Sequence, residues 1–311
     1  MRKTPAELVL RVPGPARVVG RNAVWAVGRA SARWRPLPGF LILGAQKAGT
    51  TALYTYLRRH PAITGPAWKE VSFFDRHWAR GVSWYRGSFP LQRGGRHPLV
   101  GEASPSTLFH PLAPERVRAV VPEARLIAIL RDPVDRAYSH YQHEVALGRE
   151  PLSFEDALDA EQERLRGEAE RMLADPGYFS RAWWDHTYVA RGLYAEQLER
   201  WRAVFPREQL LLLTSDELGE RPGETYGRVL SFLGAAPHEL SSYPRVFERS
   251  YPPMASAARR RLEGVFAEPN RQLEELLGRE LPWRRGVGAG RGAEAGRTCS
   301  SCRTPGTELT A

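Results

Sequence analysis

Short, wholly apolar runs alternate along the chain with stretches in which apolar residues recur at helical spacing. Phe40-Leu41-Ile42-Leu43 is one such run, and it ends at Gly44, the pattern of a strand covered on both faces. A turn from Gly44 to Thr51 follows. Leu53, Tyr56 and Leu57 then predict a helix over residues 52–59, which His60-Pro61 stops. Residues 125–130 predict a second buried strand. The next helix, over 134–147, has Asp132 placed to cap it and Pro133 where the first turn tolerates proline. Composition predicts a helix over 154–173, and the stripe Leu193, Tyr194, Leu198, Trp201 predicts another over 188–205. Residues 209–213 predict a third strand, and 225–233 and 255–266 further helices. Strands alternating with helices predict an α/β fold, a single domain with a P-loop-type central parallel β-sheet flanked by helices. No internal repeat interrupts this order.

The pattern divides the chain into a basic leader over 1–35, one domain over 36–285 and a Gly/Arg/Ser-rich tail over 286–311, expected to be disordered. The 311 residues carry 45 Lys and Arg against 35 Asp and Glu, a formal net charge of +10. That balance favours anionic partners, from nucleotides and acidic glycans to nucleic acid or a membrane face. In the leader, Arg17, Arg21, Arg29 and Arg33 fall near one side of a helix, which suits either a peripheral membrane contact or a solvated segment. Arg11, Arg17 and Arg21 interrupt any secretory apolar core, and no run reaches the ~20 apolar residues of a membrane span. The expectation is a cytoplasmic protein with a membrane contact, if any, through residues 1–35. The two cysteines, Cys299 and Cys302, lie in the tail without a second ligand pair, so neither a disulfide framework nor a zinc site is expected.

Two strand-turn-helix units carry candidate chemistry. In Gly44-Ala45-Gln46-Lys47-Ala48-Gly49-Thr50-Thr51, successive backbone N–H groups and a helix N-terminus would make an anion cradle. Lys47 lies two residues before Gly49, and Thr50 takes the position that Lys holds in G-x-x-x-x-G-K-[ST], which argues against a nucleotide triphosphatase loop. With its preceding strand the segment resembles the 5′-phosphosulfate loop of the sulfotransferases that use 3′-phosphoadenosine-5′-phosphosulfate (PAPS). The second unit, Arg131-Asp132-Pro133-Val134-Asp135-Arg136-Ala137-Tyr138-Ser139-His140-Tyr141, resembles the 3′-phosphate motif of the same family. The resemblance implies PAPS as donor and no metal. It implies a donor site of Gln46, Lys47, Ala48, Gly49, Thr50, Thr51, Arg131 and Ser139, with Arg249 and Ser250 as a lid. The bare chemistry agrees, since guanidinium and hydroxyl donors suit one phosphate. Read without the resemblance, Arg131 pairs with Asp135 and Ser139 is an ordinary helix-surface residue.

Lys69-Glu70-Val71-Ser72-Phe73-Phe74-Asp75, followed by Gly81-Val82-Ser83-Trp84-Tyr85, is similar to a segment of the heparan-sulfate branch in which the Glu is the general base. This implies catalytic Glu70 beside catalytic Lys47, with Lys69, Asp75, Trp84 and Ser104 on the acceptor side. Ser72 stands where the branch has His, so any helping role of that His is absent; Ala103 stands where it has Lys, so the cationic grip on an acidic glycan is weaker. The cluster Trp183, Trp184, His186, Tyr188 is either groove wall or core packing. The expected reaction is in-line transfer of a sulfuryl group to a hydroxyl or amine of a small-molecule or glycan acceptor, a carbohydrate or glycoconjugate by resemblance, with no nucleic-acid partner. The competing readings are a P-loop kinase or NTPase, and a non-catalytic polyanion-binding module.

Overall fold

A computed structural model describes residues 28–66, 68–91, 98–244 and 251–283. Five strands, β1 (Phe40–Gly44), β2 (Ile63–Thr64), β3 (Leu99–Ala103), β4 (Arg125–Leu130) and β5 (Leu210–Thr214), form one sheet in the order β2-β3-β1-β4-β5, and every pairing is parallel. The helices are α1 (Thr50–Leu57), α2 (Val82–Gly87), α3 (Ala113–Val120), α4 (Pro133–Ala146), α5 (Phe154–Leu165), α6 (Glu168–Ala174), α7 (Arg181–Asp185), α8 (Tyr194–Val204), α9 (Ser215–Glu220), α10 (Pro222–Leu233) and α11 (Ser256–Leu277). β1 is buried throughout, and so is β4 apart from Arg125, as the continuous apolar runs require. The expected α/β sheet flanked by helices is what the chain forms.

The three predicted strands are all present, and two more join them. β2 is too short to leave a pattern. β3, Leu-Val-Gly-Glu-Ala, hides because Gly101 and Glu102 break its apolar run. Gly101 is there for space: a Cβ at this position would lie 1.9 Å from the Phe40 ring, which crosses β3 from the central strand. The helix expected over 154–173 splits into α5 and α6, because Gly167 takes a left-handed φ of 73° between them. The helix expected from residue 188 starts only at Tyr194. The Glu161 carboxylate accepts the N–H groups of Val189 and Ala190, at 2.7 and 2.9 Å, at the start of a separate 3-10 turn, Ala190–Gly192, and the non-helical Leu193 parts that turn from α8. The helix expected to end at 266 continues as α11 to Leu277 with Pro269 inside it. Before β1, Gly28 lies against Gly87, so the end of the basic leader packs on α2. The rest of the leader and the tail with Cys299 and Cys302 fall outside the described residues.

β1 hands the chain to the next turn where there is no room for a side chain. A Cβ on Gly44 would sit 2.7 Å from both the Pro105 carbonyl oxygen and Leu108 Cβ. Gly44→Ala is therefore expected to lose about 1–3 kcal/mol of unfolding free energy through forced overpacking. Urea denaturation measures this, and an unchanged midpoint would mean that the β1 and β3 ends can part without cost.

Candidate active site

The C-terminal ends of β3, β1 and β4 lie side by side, so the segments that leave them meet. This is where open parallel sheets place their ligands. From β1 the chain makes a tight turn: Ala45 N–H donates to Ile129 O on β4 (2.7 Å), and Ala48 N–H donates back to Ala45 O (3.2 Å). Lys47 and Gly49 both have left-handed φ, 70° and 100°. Gly49 is the N-cap of α1 and supplies no side chain, so the first N–H groups of the helix are left for a ligand or solvent. Ala48 and Thr50 are buried, and Gln46 Oε1 is buried with no hydrogen bond among the described residues. An unused buried acceptor suits a hydrogen-bond donor and not an apolar group.

From β4 the chain passes through Arg131 into α4. The Arg131 Nη1–H donates to the Lys47 carbonyl at 3.0 Å, and Tyr194 OH donates to the Arg131 carbonyl at 2.9 Å. The alternative pairing with Asp135 does not form, because Asp135 meets Arg259 at 2.6 Å. Asp132 caps α4 by accepting Val134 N–H at 2.9 Å, with Pro133 in the first turn as predicted. Burial, then the neighbouring Asp135, push the Asp132 carboxyl up to about 6. Ser139 is buried on the same helix. Arg249 and Ser250 lie outside the described residues. Directly after them, Pro252 O accepts from Tyr138 OH (2.9 Å) and Tyr251 packs edge-on to the Tyr138 ring, so the chain returns to α4 beside Ser139.

Two buried arginines add positive charge to this part of the fold, Arg136 on α4 and Arg191 just before α8. Arg136 is fully buried and donates from Nη2 to Tyr188 O, while its Nε and Nη1 have no partner among the described residues. Arg191 is buried and donates to Thr187 Oγ1, Ser106 Oγ and the carbonyls of Trp183 and Trp184. Burial first, then Arg136, bring the Arg191 guanidinium down to about 9. Burial first, then Arg136, Arg191, His143 and Lys47, hold the His140 imidazole well below its usual range. Arg136 and Arg191 were not among the sequence candidates, since neither pattern nor charge tells a buried arginine from a surface one.

On the acceptor side, Lys69 Nζ meets Glu70 Oε1 at 2.7 Å, and the Glu70 side chain is 47% exposed. Glu70 and Ser72 take left-handed φ values of 65° and 52°. Such conformations cost a non-glycine residue on the order of 1–3 kcal/mol and persist only where the surroundings impose them. Ser72 N–H donates to Ser104 Oγ (2.9 Å), which donates to Glu102 Oε1 (2.5 Å), while Tyr85 OH donates to Glu102 Oε2. Trp84 is 8% exposed and packs on Phe73 and His77. Asp75 is buried, accepts from Thr107 Oγ1 (3.2 Å) and leaves Oδ1 without a partner among the described residues. The four-residue aromatic cluster does not act as one wall. Trp183 stacks on Phe109, Trp184 lies against Arg76, and His186 and Tyr188 both turn to Glu150.

Composition sharpens the picture. The chain contains three lysines, Lys3, Lys47 and Lys69, against 42 arginines. Two of the three stand at this site, where a compact ammonium on a flexible stem differs most from a planar guanidinium. Among the described residues, no group of three or more His, Cys, Asp or Glu side chains clusters as metal ligands, and no helix is long and apolar enough to cross a membrane.

A family model described as the sulfotransferase domain matches residues 37–248. The chain is 33% identical over 285 residues to bifunctional heparan sulfate N-deacetylase/N-sulfotransferase 3 of Homo sapiens, an alignment covering 79% of the chain and 31% of that protein. It therefore spans under a third of that relative's length. It is 30% identical to heparan sulfate glucosamine 3-O-sulfotransferase 6 of Mus musculus, covering 80% of the chain and 74% of that protein. A sulfotransferase from Alicyclobacillus acidocaldarius superposes with a TM-score of 0.64 at 34% identity, covering 80% of the chain and 99% of that structure.

Burial first, then Glu102, push the Asp75 carboxyl up to about 7. An unfolded aspartate releases its proton near pH 4. Between these values the native state holds a proton that the unfolded state has lost, and the stability this brings disappears as pH rises through about 7. Asp75→Asn, which stays neutral, is expected to melt above wild type at pH 8, with the gap closing toward pH 5. A gap constant across that range would mean that Asp75 does not change its charge there.

Proposed function

The chain belongs to the sulfotransferase family, and we propose that it transfers a sulfuryl group from PAPS to a hydroxyl or amine of a carbohydrate or glycoconjugate. The observation that carries this reading is the hydrogen bond from Arg131 to the Lys47 carbonyl, which joins the two phosphate-type turns into one site. PAPS would supply an activated sulfate and two phosphate groups, one suited to each turn. Residues 46–51 and the start of α1 would hold the 5′ end. Arg131 and Ser139 would hold the 3′-phosphate, with Arg249 and Ser250 assigned to the lid by family resemblance. Lys47 would neutralise charge that builds on the departing oxygen. Glu70, exposed and paired with Lys69, would take the acceptor proton. Asp75, Trp84 and Ser104 lie beneath the Glu70 segment, which suits support of the acceptor surface better than direct contact.

The relatives are named for heparan sulfate, and a glycan acceptor for this chain follows from that likeness. Ala103, buried where the heparan-sulfate branch carries Lys, points to a less anionic glycan. The domain limits 36–285 and work in the cytoplasm, with residues 1–35 as a membrane contact, complete the proposal.

Calorimetry with 3′,5′-adenosine bisphosphate tests the donor site. Wild type is expected to bind in the micromolar range and to prefer the bisphosphate to ATP with magnesium. Arg131→Ala is expected to weaken binding by about tenfold or more, as loss of a charge-assisted phosphate contact does. Glu70→Gln is expected to keep that affinity while transfer to N-desulfated heparan sulfate fragments falls by about 10²–10⁴-fold. A preference for ATP with magnesium would sink this reading in favour of a kinase.

A further inference from the structure

The backbone that carries Glu70 is fixed by a closed ring of contacts, and we propose that Ser104, anchored by Glu102, is a positioning residue for the Glu70 carboxylate. This rests on the sulfotransferase reading of the site.

Glu70 has little to hold its side chain. It is half exposed, and its one hydrogen-bond partner among the described residues, Lys69, is its neighbour in sequence. Its placement therefore depends on the main chain, which takes left-handed φ at Glu70 and again at Ser72. Ser72 is pinned at both of its backbone groups. Its N–H donates to Ser104 Oγ at 2.9 Å. Its carbonyl accepts from the N–H groups of Arg76 (3.1 Å) and His77 (2.9 Å).

From Ser104 the contacts return to where they began. Ser104 Oγ donates to one oxygen of Glu102, and Tyr85 OH donates to the other. The Tyr85 ring stacks on Phe73 at 4.4 Å, 9° from parallel, and Phe73 follows Ser72 in the chain. Ser72, Ser104, Glu102, Tyr85 and Phe73 thus close a ring joining the Glu70 segment, α2 and the end of β3. Glu102, at 2% exposure, sits on the strand paired with β1, so the ring is referenced to the sheet that also positions Lys47.

The same geometry argues against Ser104 as an acceptor contact. A serine hydroxyl has one proton to donate. Ser104 gives it to Glu102, takes the Ser72 N–H on a lone pair, and is 4% exposed. Nothing remains to donate to a sugar hydroxyl.

The test compares Ser104→Ala, Ser104→Thr and Tyr85→Phe in the full chain, with PAPS and N-desulfated heparan sulfate fragments. It reads product formation, release of 3′,5′-adenosine bisphosphate, bisphosphate affinity and melting temperature. Ser104→Ala is expected to lower kcat by about 10- to 100-fold, the scale of a reacting group misplaced by about an ångström. Acceptor KM and bisphosphate affinity should stay within about threefold of wild type, since only the base has moved. Ser104→Thr, which restores the hydroxyl, should recover most of the rate. Added to Glu70→Gln, Ser104→Ala should cost almost nothing more, because there is no base left to place. Tyr85→Phe keeps the stack and loses one anchor, so it should show a smaller loss confined to kcat even if Ser104→Ala fails to fold. A rise in acceptor KM with kcat intact, an unchanged kcat, or an equal loss in the Glu70→Gln background would overturn the proposal. Wild type that neither binds the bisphosphate nor releases it from PAPS would instead overturn the sulfotransferase reading.

Discussion

β1 is hydrogen-bonded along both edges, to β3 on one side and β4 on the other. This double pairing sets the distance between the groups of the site, because each hangs from one of three adjacent strand ends. Gly44 opens the anion turn from β1, Ser104 follows β3, and Arg131 follows β4. Cross-links just beyond the ladder tighten the arrangement. Leu108 N–H donates to Leu43 O at 2.8 Å, Ala45 N–H to Ile129 O at 2.7 Å, and Arg131 to Lys47 O at 3.0 Å. The phosphate-type turns are thus held by main-chain carbonyls on a buried sheet, and a rigid support is what a precise site requires.

The site also stores unfavourable features that a fold without a ligand has no use for. Arg136 and Arg191 are buried with incomplete or uncharged hydrogen-bond partners, and burial lowers the affinity of each for its proton. Burying such cations is costly by itself. Held in fixed places, such cations contribute a positive field that would need no rearrangement to meet an anion. Backbone strain follows the same logic. The three non-glycine residues with left-handed φ among the described residues, Lys47, Glu70 and Ser72, all lie in the two segments given catalytic roles.

Much of this was legible beforehand, for identifiable reasons. β1, β4 and β5 are apolar runs, the mark that a largely buried strand leaves in a sequence. The anion turn and the Arg131 motif were legible because glycine, proline and capping residues must stand at set offsets from a strand end. β3 was not, since its contribution is a glycine cleared for Phe40 and a glutamate turned inward, and both read as loop. The ring through Glu102, Ser104 and Tyr85 joins residues far apart in the chain, and only the fold brings them together. Trp84 and Asp75 show the reverse case. Motif position singles them out, and only the fold adds that both side chains are buried.

The scarcity of lysine has a chemical consequence. In a chain with 42 arginines, an acylating reagent meets few side-chain amines: Lys3, Lys47 and Lys69. Among the described residues the side-chain amines are therefore only those of the anion turn and of the Glu70 ion pair. Acylation mapped by mass spectrometry, with and without a candidate anion, becomes a footprint of occupancy that needs no engineered label. A basic protein of this kind carries its own two-point reporter because nearly all of its other positive charge is guanidinium, which such reagents leave untouched.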